Sequence, residues 1–497
     1  MELNFGVDYF GAREGRKTPV QLNTKRLING HMLILGSSGV GKSHTIRRLI
    51  AQAMKAGTKV RFHVFDVHGD LEIEGASVVQ FSEQAPFGLN PFRVNPSFEF
   101  GGVRKAIQAF IRTVDQASRT PLGLKQEAVI RELALDVYRE FGFQKDDPST
   151  WSLNAYESRL ISGGSDNRIY LNVPFVDKDR ARGFGARFCG ERKLWYVHTQ
   201  NYKGGITEFP PAFKERDYPT LADILAYAKQ IHLEKFLGSD QKAIRALGYL
   251  NKTARTMQRK MLDSVKRKRH DESVFDEDEE VALEAAKESA IDAFTDYANS
   301  IQTGLELENL IKYDSPEVLK SVVDRLNNLN STGIFKNTPP PFDETLPVWR
   351  YKLNALSLEE KKMLVLFLLL DIFYKSVQRG EQSDVLEICV LDELGTYVSG
   401  ADERGDGVIG TIAREARKFG LALWAANQST ENVPDSLISS VGTKVVLGVD
   451  EMYWPDMVKK LRMDAKLLNF IQPHHTMAVQ LKEKGSTKTK WWWTAIS

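Results

Sequence analysis

The sequence predicts an α/β fold with a mainly parallel central sheet, to which a small α+β insert and a helical insertion are added. Three observations support this prediction. An apolar strand near the start of the chain runs directly into a glycine-rich loop and an amphipathic helix. Two later apolar strands end in polar side chains, one in a pair of carboxylates and the other in an amide. Because ligand sites in open α/β sheets form where parallel strands end, we expect these strand ends to meet.

The glycine-rich loop follows the pattern GxxxxGKS, which is typical of a phosphate-binding P-loop. Its glycines permit tight turns that aim backbone N–H groups at a phosphate at the start of a helix. Lys42 is predicted to contact the β- and γ-phosphates, and the hydroxyl of Ser43 to ligate Mg²⁺. The predicted nucleotide-binding residues of this loop are Gly36, Ser37, Ser38, Gly39, Val40, Gly41, Lys42, Ser43 and His44.

A second apolar strand begins at Glu387 and ends in Asp392 and Glu393, a Walker B pattern. If this strand lies beside the strand of the P-loop, its two carboxylates are placed at the phosphates, with Asp392 as a metal ligand through the water shell of Mg²⁺. Glu393 would then orient and deprotonate the attacking water. The alternative is a strand that ends in a polar turn. A glutamate directly after the aspartate favours hydrolysis over phosphotransfer, and the absence of a guanine-reading NKxD motif favours ATP over GTP.

A third apolar strand runs from Leu421 and ends in Gln428, which we predict to contact the γ-phosphate or the attacking water. The residues before this strand, from Arg404 to Phe419, are predicted to form a helix that exposes Arg417. Both assignments have simpler alternatives. Gln428 would otherwise be a turn residue, and Arg417 would form a salt bridge on the helix surface.

Composition sets limits on the function without identifying it. A net charge of +2 gives no evidence of nucleic-acid binding by itself. The two cysteines, Cys189 and Cys389, fit a reducing compartment and exclude both a disulfide framework and a cysteine-based zinc site. The longest apolar run, from Met363 to Leu370, is too short to span a membrane and predicts a buried helix. A cytoplasmic protein is therefore expected.

Four segments in this order, FDVHGD, LDELG, AREARKFGLALWAANQS and SSVGTKVVLG, together resemble the HerA/FtsK superfamily of P-loop motors. The resemblance covers about residues 25–100 and 340–485. It implies a RecA-like sheet, a hexameric ring and the use of ATP to pump DNA or, in conjugation systems, to power secretion. It further implies that Asp66 and His68 lie near the metal and nucleotide. Arg417 would sense the γ-phosphate or the subunit interface.

Between the two halves of this core, the segment from Tyr170 to Val197 resembles a small uncharacterised domain of plasmid primases and other mobile-element proteins. Basic and aromatic side chains interleave here: Arg182, Phe184, Arg187, Phe188, Arg192, Lys193, Trp195 and Tyr196. This composition suits phosphate contact and base stacking. The alternative is that the aromatic side chains fill the core of a very small domain.

The predicted division of the chain is a first part of the ATPase core (1–150), a small α+β insert (151–210), a helical insertion (211–335) and a second part of the core (336–497). The preferred function is a hexameric, ATP-hydrolysing DNA translocase of mobile-element, defence or DNA-processing systems. Two alternatives stay open. One is a conjugation or type IV secretion ATPase at a membrane complex, and the other is a nucleotide-switched scaffold for a nuclease or defence complex.

Overall fold

A computed structural model describes residues 1–118, 120–153, 168–190, 193–198, 201–209, 217–237, 241–266, 277–300, 312–313, 315–403, 407–486 and 489–495. Its internal contacts divide the chain into two units. The first comprises Met1–Pro121, Phe141–Thr220 and Thr332–Ser497, and the second comprises Leu122–Glu140 and Leu221–Ser331. The helix at residues 124–140, predicted within the first part of the ATPase core, therefore belongs to the helical unit. The predicted boundaries near 150, 210 and 335 stay predictions.

Strands are numbered in chain order. They are β1 (Glu2–Asp8), β2 (Pro19–Asn23), β3 (Met32–Leu35), β4 (Arg61–Asp66), β5 (Ser77–Gln80), β6 (Arg168–Leu171), β7 (Arg187–Cys189), β8 (Leu194–His198), β9 (Val348–Lys352), β10 (Glu387–Leu391), β11 (Leu421–Asn427), β12 (Thr443–Val446), β13 (Thr476–Leu481) and β14 (Lys490–Ala495).

Helices are numbered in the same way. They are α1 (Tyr9–Arg13), α2 (Lys42–Lys55), α3 (Val103–Ala117), α4 (Leu124–Glu140), α5 (Lys178–Gly183), α6 (Leu221–Leu237), α7 (Gln241–Lys266), α8 (Glu277–Ser300), α9 (Pro316–Ser331), α10 (Leu358–Arg379), α11 (Gly400–Glu403), α12 (Val408–Glu415), α13 (Asp435–Ser440), α14 (Trp454–Leu461) and α15 (Ala465–Leu468).

One large sheet organises the first unit, with the strand order β2-β1-β14-β13-β12-β3-β11-β10-β4-β9-β5. Every neighbouring pair from β12 to β5 is parallel, whereas the pairs from β12 to β2 are antiparallel. The predicted mainly parallel central sheet is therefore confirmed. We call the edge at which the parallel strands end the carboxyl edge, and the opposite edge the amino edge.

The strand that ends in the two carboxylates, β10, is not the direct neighbour of β3, because β11 is inserted between them. Leu35 of β3 pairs with Asn427 of β11, and Leu391 of β10 pairs with Ala425 of the same strand. All three strands are apolar and buried on both faces, so their local patterns contain no information about which one occupies the centre.

Burial explains the strong apolar character of these elements. The side chains of β3 are completely buried, and α2 packs Ile46, Leu49 and Ile50 into the same core. The apolar run of α10 is buried as predicted, and the helix begins with a capping box between Ser357 and Glu360. Among the helices that the structure describes, none has the length and apolarity needed to cross a membrane.

The insert forms its own small sheet in the order β6-β8-β7, with antiparallel neighbours. Its core contains residues of β6, β8 and α5 together with the segment that follows: Ile169, Leu171, Ala181, Ala186, Val197, Ile206 and Phe209. The second unit is helical. Within it, the buried carboxylate of Asp136 on α4 accepts hydrogen bonds from Lys312 at 2.6 Å and from Tyr313.

Candidate active site

The P-loop connects the end of β3 to the start of α2, and neighbouring strand ends fix its backbone. The N–H of Gly36 donates to the carbonyl of Asn427 at 3.1 Å, and the N–H of Ser37 donates to the carbonyl of Gly448 at 2.8 Å. Gly41 adopts φ 101° directly before α2, a conformation that L side chains rarely adopt. No side chain caps α2, so its first N–H groups are available to an anion.

Lys42 lies folded over this loop. Its ammonium donates to the carbonyl of Gly36 at 2.7 Å and to the carbonyl of Ser37 at 3.1 Å. Burial lowers the pKa of Lys42, and the charges of Glu393 and Asp392 oppose that shift. The ammonium therefore lies between the loop and the two acids, where a phosphate would replace the carbonyls as its partner.

The other two strand ends meet beside the loop. Glu393 follows β10 in a left-handed conformation, with φ 61°. Its carboxylate accepts a hydrogen bond at 3.1 Å from the side-chain amide of Gln428, which follows β11 and is exposed. Buried Asn427 joins the same two turns, because its side-chain oxygen accepts from the N–H of Gly395 at 3.1 Å. Glu393 and Gln428, separately predicted, are thus brought into contact, and the backbone strain of Glu393 lies where a base is expected.

Asp66 ends β4 and is completely buried in an ion pair with Arg350 of β9. Arg350 donates to one oxygen of Asp66 from Nε at 2.9 Å and from a terminal nitrogen at 2.7 Å. The other oxygen accepts from the N–H of Gly69 at 2.7 Å. Asp66 is therefore engaged by protein donors, and it shapes the turn that carries His68 and Asp70. The sequence analysis places Asp66 near the metal and nucleotide, and this assignment stays a prediction.

The residues at this edge fit a divalent cation. Carboxylate oxygens of Asp66, Asp70 and Asp392 lie within 4.8 Å of one another. Burial raises the pKa of Asp392 to about 6; His68 opposes the shift, whereas Asp70, Asp66 and Glu393 add to it. The hydroxyl of buried Tyr397 has no hydrogen-bond partner among the described residues, and the charges of Asp392, Asp66 and Glu393 act on it. A cation would relieve this repulsion and supply the missing polar contacts.

His474 lies over the P-loop, and nothing in the sequence indicated this position. Its Nε2–H donates to the carbonyl of Gly39 at 3.0 Å. A Cβ added at Gly41 would lie 3.2 Å from its Nδ1, so the imidazole packs directly against the loop backbone. Like Glu393, His474 has a left-handed backbone, with φ 66°. The turn before β13 therefore forms one wall of the nucleotide site.

Arg417 lies elsewhere. It belongs to a short 3₁₀ helix, Ala416–Phe419, immediately before β11, whereas Gln428 follows the same strand. At about 3.3 Å per residue, β11 separates Arg417 from the P-loop by about 20 Å. The side chain is exposed at the amino edge beside a cavity of 460 Å³, and no acid pairs with it among the described residues. Arg417 therefore lies far from the nucleotide site of its own chain, and its predicted sensing of the γ-phosphate or the subunit interface stays a prediction.

Sequence reasoning missed four residues of this region: Asn427, Arg350, Tyr397 and His474. Two of them had a weak signal. Asn427 is a polar residue that ends a seven-residue apolar strand, and Arg350 is a charge within the short strand β9. Buried polar residues in apolar strands need partners, so both could have been chosen as candidates.

Two family profiles and one curated relative match parts of the chain. The profile of a family described as the central domain of the helicase HerA matches residues 9–132. A family described as a domain of unknown function matches residues 168–211, which contain the insert. An uncharacterized protein of Aquifex aeolicus is 33% identical over 60 residues, which are 12% of this chain and 22% of that protein. The chain therefore spans about a fifth of that relative.

Two solved structures match the chain over its whole length. The structure of VirB4 of Thermoanaerobacter pseudethanolicus matches with a TM-score of 0.56 and 14% identity, and the match covers 100% of this chain and 96% of that one. The bacterial conjugative coupling protein TrwB matches with a TM-score of 0.45 and 12% identity, covering 100% of this chain and 94% of that one. The likeness to VirB4 identifies the fold as RecA-like.

Proposed function

We propose that the chain is a P-loop ATPase of the HerA/FtsK type that hydrolyses ATP to translocate DNA as a ring of identical subunits in the cytoplasm. The main support is the convergence of Lys42, Asp392, Glu393 and Gln428 at the carboxyl edge of one sheet. These residue types are the ones that bind a triphosphate and activate water for its hydrolysis.

Each residue has a distinct role in this proposal. Lys42 exchanges its bonds to the loop carbonyls for bonds to the phosphates. Glu393 accepts the proton of the attacking water, and Gln428 orients its carboxylate from the end of the neighbouring strand. Mg²⁺, bound through Ser43 and Asp392, would neutralise charge that develops on the phosphates. His68 and Asp70 would act on this metal through its water shell.

The position of Arg417 supports a role between subunits. An arginine that is exposed at the amino edge and lacks an acidic partner among the described residues is available to a nucleotide bound by a neighbour. There it would stabilise the charge of the transition state and make hydrolysis dependent on assembly. A closed ring in which every site receives one such arginine satisfies this requirement, and a hexamer is the form that the superfamily resemblance implies.

ATP hydrolysis measured without DNA, with single-stranded DNA and with duplex DNA tests the proposal directly. We expect one form of DNA to stimulate hydrolysis several-fold, and Glu393→Gln to lower kcat by about 10²- to 10⁴-fold while ATP binding persists. Glu451→Gln, an exposed glutamate outside the site, is the matched control and keeps wild-type rates.

Two results would contradict the proposal in different ways. Hydrolysis that is indifferent to every form of DNA would remove the translocase function and favour the secretion ATPase or the scaffold. Full activity in Glu393→Gln would leave the ATPase intact but exclude Glu393 as the base.

A further inference from the structure

The small insert leaves aromatic side chains on its surface although its core is very small. Its buried residues are mainly aliphatic, with Phe209 as the buried phenylalanine of the cluster. Phe184 and Phe188, by contrast, are 41% and 54% exposed. Domains of this size normally use their large apolar side chains for stability, so exposed rings indicate another use.

Exposed Phe188, half-buried Trp195 and Arg182 form one continuous group, which we call the stacking cluster, and Trp195 anchors it to the core of the insert. The rings of Phe188 and Trp195 make an edge-to-face contact with centroids 5.6 Å apart. The guanidinium carbon of Arg182 lies 5.7 Å from the centroid of Trp195. Phe188 and Trp195 are paired residues of β7 and β8, so the backbone fixes their spacing. The group therefore combines rigid aromatic faces with a cation.

The charge of the insert differs from that of the chain as a whole. Residues 168–211 contain eight Lys and Arg against four Asp and Glu, a net charge of +4. The complete chain has a net charge of +2, so the remaining residues together carry −2. Positive charge is therefore concentrated on the module that also exposes aromatic rings, and this complements a polyanion with stackable groups.

We propose that the stacking cluster binds single-stranded nucleic acid, with Phe188 stacking on an unpaired base and Arg182 contacting the adjacent phosphate. This inference deepens the proposed function, on which it rests, by assigning an unpaired strand to the insert. A duplex offers base faces only at its ends, so the cluster discriminates against it. An apolar protein surface would fit the rings but not the net charge of +4.

Equilibrium binding by the full-length protein, without ATP, tests the inference. The probes are fluorescein-labelled oligothymidine and oligouridine of about 15 nucleotides and a duplex of the same length, followed by anisotropy. We expect Phe188→Leu to weaken single-strand binding by about 5- to 150-fold, which corresponds to a stacking free energy of about 1–3 kcal/mol. Phe188→Trp should keep the affinity, because it preserves the aromatic face.

Matched variants separate stacking from charge and from folding. Phe175→Leu alters an aromatic side chain of the same insert that is 82% exposed and outside the cluster, and it should leave binding unchanged. Arg182→Ala should lower the slope of the logarithm of affinity against the logarithm of salt concentration by about 0.7, the value for one phosphate of a single strand. Basal ATP hydrolysis should be the same in all four variants.

The outcomes are distinct. Single-strand binding that is absent in the wild type, or equal in Phe188→Leu and wild type, overturns the inference, even if DNA stimulates hydrolysis. A third outcome is that single-strand binding depends on Phe188 while no form of DNA changes the rate of ATP hydrolysis. This outcome supports the inference and contradicts the proposed translocation of DNA. Comparison of oligothymidine with oligouridine shows whether the strand is DNA or RNA.

Discussion

The two edges of the large sheet differ in how their polar side chains are partnered. At the carboxyl edge, polar groups contact one another: Gln428 donates to Glu393, and Arg350 donates to Asp66. At the amino edge, Arg417 is exposed and has no acidic partner among the described residues, while neighbouring His31 is buried. Burial and the charge of Arg417 lower the pKa of His31 to about 4, so this histidine is neutral. One edge of the sheet thus contains polar groups that contact one another, whereas the other edge exposes an arginine; in the proposed function, both contribute to one hydrolytic site.

Complementation between two inactive variants tests this separation most strongly. Arg417→Ala should lower kcat by about 10³-fold or more in the assembled protein, the effect expected for an arginine supplied by a neighbour. Lys42→Ala should abolish hydrolysis because its own site cannot bind phosphate. Mixed assemblies should regain activity. In them, the intact Lys42 site of an Arg417→Ala subunit can receive Arg417 from a neighbouring Lys42→Ala subunit. Recovery of ATP hydrolysis on mixing is the measurement.

Lys418→Ala is the matched control, because Lys418 is an exposed cation on the same short helix and lies over the ring of Phe419. It should retain hydrolysis. No recovery on mixing, although the two variants co-assemble, would show that Arg417 does not act between subunits.

The second prediction concerns the contribution of the buried ion pair at the carboxyl edge to the stability of the protein. Arg350→Met should lower the free energy of unfolding by about 3–5 kcal/mol, because it leaves the charge of Asp66 buried without a partner. Asp66→Asn combined with Arg350→Met should recover most of this loss. Urea denaturation measures both, and Arg61→Met, which removes a partly exposed cation of β4, should cost less than about 1 kcal/mol. Equal losses in the single and double variants would contradict the pairing.

Burial of Asp392, with repulsion from neighbouring carboxylates, predicts a dependence of stability on pH. These effects raise the pKa of Asp392 from 3.8 to about 6, so the destabilisation of the nucleotide-free protein grows as the pH rises from about 4 to 6 and is complete above pH 6. Asp392→Asn should therefore stabilise that protein by about 3 kcal/mol at pH 8 and by about half as much at pH 5. Denaturation at the two pH values without Mg²⁺ measures this. If Asp392→Asn increases the stability by the same amount at both pH values, the increase does not come from the ionisation of Asp392.

The smallest expected effect concerns the wall above the P-loop. His474→Ala removes one hydrogen bond to Gly39, which is worth about 0.5–1.5 kcal/mol, and should raise KM for ATP by about 2- to 10-fold with kcat nearly unchanged. His475→Ala is the matched control, since that imidazole is exposed and adjacent. Steady-state kinetics give KM and kcat for both variants. Identical values in both variants would exclude a role for His474 at the loop.

Local pattern was sufficient for the residues that a motif places in one turn. The loop from Gly36 to Ser43 and the buried run of α10 form the predicted structures, because spacing and apolar periodicity determine local backbone and burial. The proximity of the strand ends that carry Gln428 and Glu393 followed from a general rule about parallel strands, whereas the hydrogen bond between these two side chains was not predicted. The order of the strands did not follow from any local pattern, since β3, β10 and β11 are equally apolar.

The sequence by itself determined the parallel sheet, the P-loop and the acids that face it, because these depend on short-range order along the chain. Tertiary structure alone decided which distant residues support them. Arg350 reaches Asp66 across 284 positions and His474 reaches Gly39 across 435, and contacts at such separations leave no periodic signal. It also decided that Arg417 lies at the far end of β11, since the direction of a strand within a sheet fixes which edge each flanking residue occupies.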